Sequence, residues 1–75
     1  MNRSRGIHTV PNDRGGWNNT VDGRVVSRHR ERDEAVAAGR AIAAQLGGRL
    51  ILHGADGSIV GEEQPLETQD DKDAP

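Results

Sequence analysis

Cysteine, phenylalanine and tyrosine are all absent from the 75 residues, and Trp17 is the one large aromatic side chain. Without cysteine the chain can build neither a disulfide framework nor a thiolate zinc site. No segment approaches the roughly 18 consecutive apolar residues of a membrane span. Met1 to Gly6 carries charge with no apolar stretch behind it, which speaks against a signal peptide. The expectation is a cytoplasmic chain with no membrane partner. Large aliphatic side chains are also scarce: Leu, Ile and Val together number 14. That share is just under the roughly 20 % at which disorder competes with folding. A net charge of −2 is too small to force disorder by repulsion.

What the chain does have is glycine, ten residues of it, and an uneven spread of charge. Residues 1–30 hold six arginines against Asp13 and Asp22, a balance of +4, whereas residues 31–75 balance at −6. Much of that negative charge lies from Glu62 onward. The stretch QPLETQDDKDAP, with two prolines and two aliphatic side chains, cannot offset its chain entropy by burial. We therefore expect a flexible N-terminus over 1–6, one domain over 7–63 and a disordered acidic tail over 64–75.

Within the domain, Ile7–Val10 reads as a strand closed by Pro11. Trp17–Val21 and Arg24–Arg28 flank Asp22-Gly23, the dipeptide that suits a two-residue hairpin turn. Counting outward from that turn pairs Asn19 with Val26 and Trp17 with Arg28. Trp17, Val21 and Val26 then line a buried face, with Arg24 and Arg28 on its rim, and Asn18, Thr20, Val25 and Ser27 line the other. Arg28 falls across from the tryptophan ring, in reach of a cation–π contact. His29 points away from the Trp17 face.

Glu31–Leu46 reads as a helix, since Ala35, Val36, Gly39, Ile42, Ala43 and Leu46 recur every three or four residues. Acids in its first turn suit the helix dipole and Gly47-Gly48 ends it. Gly39, in the middle of a stripe of small residues, predicts a close helix-to-sheet approach. Arg49–Gly54 and Ser58–Glu62 then form a second hairpin around Asp56-Gly57. Leu50, Leu52 and Ile59 share one of its faces, and Ile51, His53 and Val60 the other. The fold class is α+β: a small antiparallel sheet of about five strands, ordered β-β-β-α-β-β, with one helix packed on one face.

A series of motifs runs through this pattern: His8-Thr9-Val10-Pro11, Gly16-Trp17, His29, Glu34-Ala35 with Ala38-Gly39-Arg40, and Leu52-His53-Gly54-Ala55-Asp56-Gly57-Ser58-Ile59. In this order they resemble the bacterial and phage family known as domain of unknown function 2188, over roughly residues 7–62. Glu31 departs from the family, whose members often carry a threonine-type helix cap there. Asn18 and Asn19 are also more polar than the family pattern. The resemblance implies the fold type and a prokaryotic or phage, cytoplasmic setting. It implies no activity.

The residues themselves point away from catalysis. The three histidines, His8, His29 and His53, show no metal-ligand spacing, and Ser4, Ser27 and Ser58 lack an activating constellation. His8 and His53 are read as structural, with ring nitrogens bonded to neighbouring backbone. No enzyme activity, metal or cofactor is expected. A thin core and a second aliphatic face on the last hairpin point to self-association as a homodimer. The expected function is a non-enzymatic interaction module that also binds a still unidentified protein through a sheet edge or face, with Trp17, Arg28, Ile51, His53 and Val60 as candidate contacts. The alternative is a nucleic-acid-binding accessory protein using Arg3, Arg5, Arg14 and Arg30.

Overall fold

The computed structural model describes residues 6–64. The elements are β1 (Gly6–Pro11), β2 (Trp17–Val21), β3 (Arg24–His29), α1 (Arg32–Leu46), β4 (Arg49–His53) and β5 (Ile59–Glu63). Gly6 thus belongs to the first strand and not to a flexible leader. The expectations for the remaining N-terminal residues and for the acidic tail fall outside the described residues.

The five strands form one sheet in the order β3-β2-β1-β4-β5. The α+β class and the β-β-β-α-β-β order hold, but the sheet is mixed: β1 and β4 run parallel, with Ile7 opposite Leu50 and Thr9 opposite Leu52. The reason is geometric. Two hairpin-type reversals leave β3 pointing the same way as β1, and α1 carries the chain back to the starting end. β4 must then run with β1, beside which it lies.

Asp22 and Gly23 both take positive φ, 54° and 81°, the backbone of a two-residue turn whose twist matches the flanking strands. Val21 accordingly pairs with Arg24 and Thr20 with Val25. Beyond them the ladder slips by one residue. A bulge leaves Val26 unpaired, so Asn19 faces Ser27 and Trp17 faces His29. This corrects the expected pairings of Asn19 with Val26 and of Trp17 with Arg28. Val26 is half exposed instead of buried. The residue beside Trp17 is His29, while Arg28 lies across from Asn18 on the opposite side of the sheet.

The last hairpin departs similarly from expectation. Gly54 N–H donates to Ser58 O at 2.8 Å and Gly57 N–H to Gly54 O at 2.9 Å, so the loop spans three residues, Ala55 to Gly57. His53 then faces Ile59, and a second irregularity leaves Val60 unpaired before Leu52 meets Gly61 as expected. The loop adds one residue and the bulge absorbs it. Ile59 therefore shares a face with His53, and Val60 is not its cross-strand partner.

The helix begins at Arg32, with Glu31 as a cap that makes no side-chain hydrogen bond, and closes on a left-handed Gly47. Its buried stripe is Ala35, Val36, Gly39 and Ala43, while Leu46 is 43 % exposed. The stripe lies on Ile7, Val21 and Leu50, flanked by Ile42 and Leu52. The core also contains two polar side chains, Thr9 and Asn19, both fully buried. Thr9 Oγ1 donates to Asn19 Oδ1 at 2.6 Å, and Asn19 Nδ2 donates to the Ala35 carbonyl at 2.8 Å and to Ser27 Oγ at 3.1 Å. Gly39 sits directly above them. A Cβ at that position would come within 2.8 Å of Leu50 Cδ1, 3.0 Å of Asn19 Oδ1 and 3.2 Å of Thr9 Oγ1.

Candidate functional site

The helix covers one face of the sheet. Strand alternation and the observed ladders put His8, Val10, Asn18, Thr20, Val25, Arg28, Ile51, His53, Ile59 and Glu62 on the other, where no element of the described residues packs. Sheets with one free face ordinarily make that face polar. Here it contains Val10, Val25, Ile51 and Ile59, of which Val25 is 44 % and Ile59 65 % exposed. Arg49 and Glu62 form an ion pair at 2.9 Å on the β4–β5 side.

At the middle of this face two histidines, 45 residues apart in the chain, meet. His8 Nδ1 lies 2.9 Å from His53 Nε2, and the ring centroids are 5.1 Å apart. His53 Nδ1 lies 2.8 Å from the Gly57 carbonyl oxygen. A carbonyl only accepts, so His53 carries its proton on Nδ1 and its Nε2 accepts in turn from His8 Nδ1–H. The chain of bonds from His8 through His53 to Gly57 ties β1 to the final hairpin loop. His53 keeps the backbone partner expected of it, whereas His8 bonds to the other histidine. In the same loop, Ser58 donates both its N–H (3.0 Å) and its hydroxyl (2.7 Å) to Asp56 Oδ1, holding that carboxyl below its usual range.

Burial, and then the neighbouring His53, hold the His8 pKa below its ordinary value. The unfolded chain therefore takes up a proton that the folded chain resists, and stability falls as pH drops below about 6.5. Melting curves between pH 8 and pH 5 should show a flat upper limb and a falling lower one. The fall should be smaller in His8→Asn; an unchanged slope would contradict this arrangement. A separate acid limb below about pH 4.5 should follow from Glu63, whose carboxyl Arg40 holds below its usual range through paired bonds of 2.7 and 2.9 Å.

The remaining candidate residues are dispersed. Trp17 is on the helix side, and the cation over its ring is Arg32, with Cζ 5.5 Å from the centroid, not Arg28. His29 shares the Trp17 side, contrary to expectation, and its Nε2 lies 3.0 Å from Ser27 Oγ. Val60 is 59 % exposed in its bulge. Arg14, Arg28 and Arg30 surround one open cleft of about 570 Å³ together with Asn12, Gly15, Gly16, His29 and Glu31. Arg3 and Arg5 fall outside the described residues. Sequence reading missed Asn12, Gly15, Gly16 and His29 as neighbours of these arginines. The fold of the Asn12–Gly16 loop onto the end of β3 is what brings them together. Among the described residues no three His, Asp or Glu side chains gather as a metal site, and no helix is long and apolar enough to cross a membrane.

These features define a small α+β domain with a mixed five-stranded sheet, one helix and a bare, partly aliphatic sheet face. Residues 7–64 match the profile of a family described as an uncharacterized protein conserved in bacteria, domain of unknown function 2188, and the chain belongs to that family. No curated protein and no solved structure matches it.

Proposed function

We propose that this chain is a non-enzymatic interaction module that self-associates through the bare face of its sheet. The observation that supports the reading most is the aliphatic content of that face: Val10, Val25, Ile51 and Ile59 stand around the His8–His53 pair with no element of the described residues over them. A core resting on a few aliphatic side chains and a stripe of small helical residues gains from burying this second surface.

The sheet edges suit a two-fold contact less well. An edge contact between two copies of β3 sets Arg24 and Arg28 against themselves, and one between copies of β5 competes with the ion pairs that Glu62 and Glu63 make with Arg49 and Arg40. Pairing β3 of one copy with β5 of the next would match charge, but such a head-to-tail contact does not close at two copies. Charged edges are a common protection against strand addition. The face carries Arg28 on β3, but its middle, around the His8–His53 pair, is flanked by aliphatic side chains.

Ile59→Lys, alone and combined with Val25→Lys, tests the reading. Both side chains are exposed, so the substitutions leave the single chain folded while placing like charges at the contact. Light scattering after gel filtration should give twice the 8.1 kDa chain mass for the wild type and the single-chain mass for the double variant. Equal masses for the two would count against the face as the contact surface.

A further inference from the structure

At one end of the molecule a loop and the end of β3 form a cleft that shares only Arg28 with the sheet face proposed for self-association. At the far end of the first two strands, the loop Asn12–Gly16 folds back on the end of β3. Asn12 N–H donates to Gly16 O at 2.9 Å, Gly15 N–H to Asn12 O at 3.0 Å, and Arg14 N–H to Asn12 Oδ1 at 2.9 Å. Asn12 Nδ2 in turn donates to Asn18 Oδ1 at 3.1 Å. The loop lies so close to β3 that a Cβ on Gly16 would be 2.6 Å from the His29 carbonyl oxygen. Only glycine allows this seat. The result is a braced cleft of about 570 Å³, within the range that holds small ligands.

Three of the residues lining the cleft are arginines: Arg14 from the loop, Arg28 from β3 and Arg30 just beyond it. None forms an ion pair with another described residue, whereas Arg40 and Arg49 elsewhere each hold a glutamate. Glu31 is the one acid in the lining, which leaves an excess of positive charge. Guanidinium forks match phosphate oxygens two at a time. The elements also exclude one mode of nucleic-acid reading. The exposed face of the helix presents Asp33, Glu34, Ala37, Ala41 and Ala44, side chains that are acidic or too short to read base edges in a duplex groove, and its exposed Arg40 is held by Glu63. Trp17 carries Arg32 over its ring, which limits base stacking.

We propose that the cleft bounded by Arg14, Arg28 and Arg30 binds the phosphodiester backbone of single-stranded nucleic acid, without regard to base sequence. An open cleft lined by three arginines, none of them ion-paired among the described residues, accepts successive phosphates of a flexible strand. A rigid duplex presents its phosphates at fixed spacing on a convex surface.

The test uses the full chain and a fluorescent oligothymidylate of about 12 nucleotides, a length within the site sizes of single-strand binders. Neutralising three phosphates should give a log–log salt slope near −2, or about a twentyfold loss of affinity between 50 and 200 mM salt. A combined Arg14→Ala, Arg28→Ala and Arg30→Ala variant, checked for folding by its melting curve, should lose that salt-sensitive binding. Undiminished binding in the variant would overturn the assignment, as would the absence of salt-sensitive binding in the wild type. A duplex of equal length bound as tightly as the strand would overturn the single-strand preference. Displacement by oligoglutamate at matched charge concentration would replace nucleic acid with an acidic polypeptide as the ligand.

Discussion

Gly39→Val is expected to remove about a third or more of the domain's stability. The first added carbon already falls within 3.0 Å of Leu50 Cδ1 and close to Asn19 Oδ1, and the two further methyls have no space among fully buried neighbours. Leu50 is packed between β1, β5 and the helix, and Asn19 is held by three hydrogen bonds, so neither yields cheaply. Overpacking of this kind costs about 3 kcal/mol or more. A folded body of this size has roughly 3–9 kcal/mol in all. The Gly39→Ala variant separates the two physical effects at this site. Helix propensity alone would stabilise it by about 1 kcal/mol. The short contacts should reverse the sign and lower the melting temperature. A rise in melting temperature would mean that the helix sits farther from the sheet than described.

Asn19→Ala should have the next largest effect, a loss of about 3 kcal/mol. Asn19 is fully buried, and its removal takes a partner from Thr9, Ser27 and the Ala35 carbonyl while opening a small cavity. Thr9→Val should cost less, about 1 kcal/mol, because Asn19 keeps its two donor bonds. In a double-mutant cycle the two substitutions should fall short of additivity, since they share one 2.6 Å bond. Chemical denaturation of the four proteins measures this. Additive losses would show that Thr9 and Asn19 do not stabilise each other.

Much of the fold was legible in the sequence because it is local. Asp22-Gly23 announces its turn, the recurrence of Ala35, Val36, Gly39 and Ala43 announces the helix, and Gly39 announces a close approach. The expected purely antiparallel sheet failed because both hairpin signals are antiparallel, while the β1–β4 pairing is not signalled by any neighbouring residues. It was nonetheless implicit in the element order: three strands that reverse twice, followed by one returning helix, leave β4 parallel to β1 or β3. The bulges were not legible. Val25 and Val26 are both apolar, so alternation could not say which of them leaves the ladder, and the slip moved His29 to the place assigned to Arg28. At Asp56-Gly57 the same dipeptide that makes a two-residue turn at Asp22-Gly23 instead closes a three-residue loop.

The functional features depend on contacts distant in sequence. His8 and His53 come together only once β1 and β4 lie side by side, and the arginines share a cleft only because the Asn12–Gly16 loop folds onto β3. Asn19, read as an oddity after the tryptophan, is a buried post on which the helix rests. Its polarity follows from the carbonyl and hydroxyls it must satisfy.

The bare sheet face is the centre of this account, and sedimentation equilibrium of the wild-type chain over a wide range of loading concentrations tests it most directly. A reversible rise from the single-chain mass to twice that value is the predicted result. A constant single-chain mass up to the highest concentration would contradict it, leaving Val25, Ile51 and Ile59 as an aliphatic surface that the chain keeps in water.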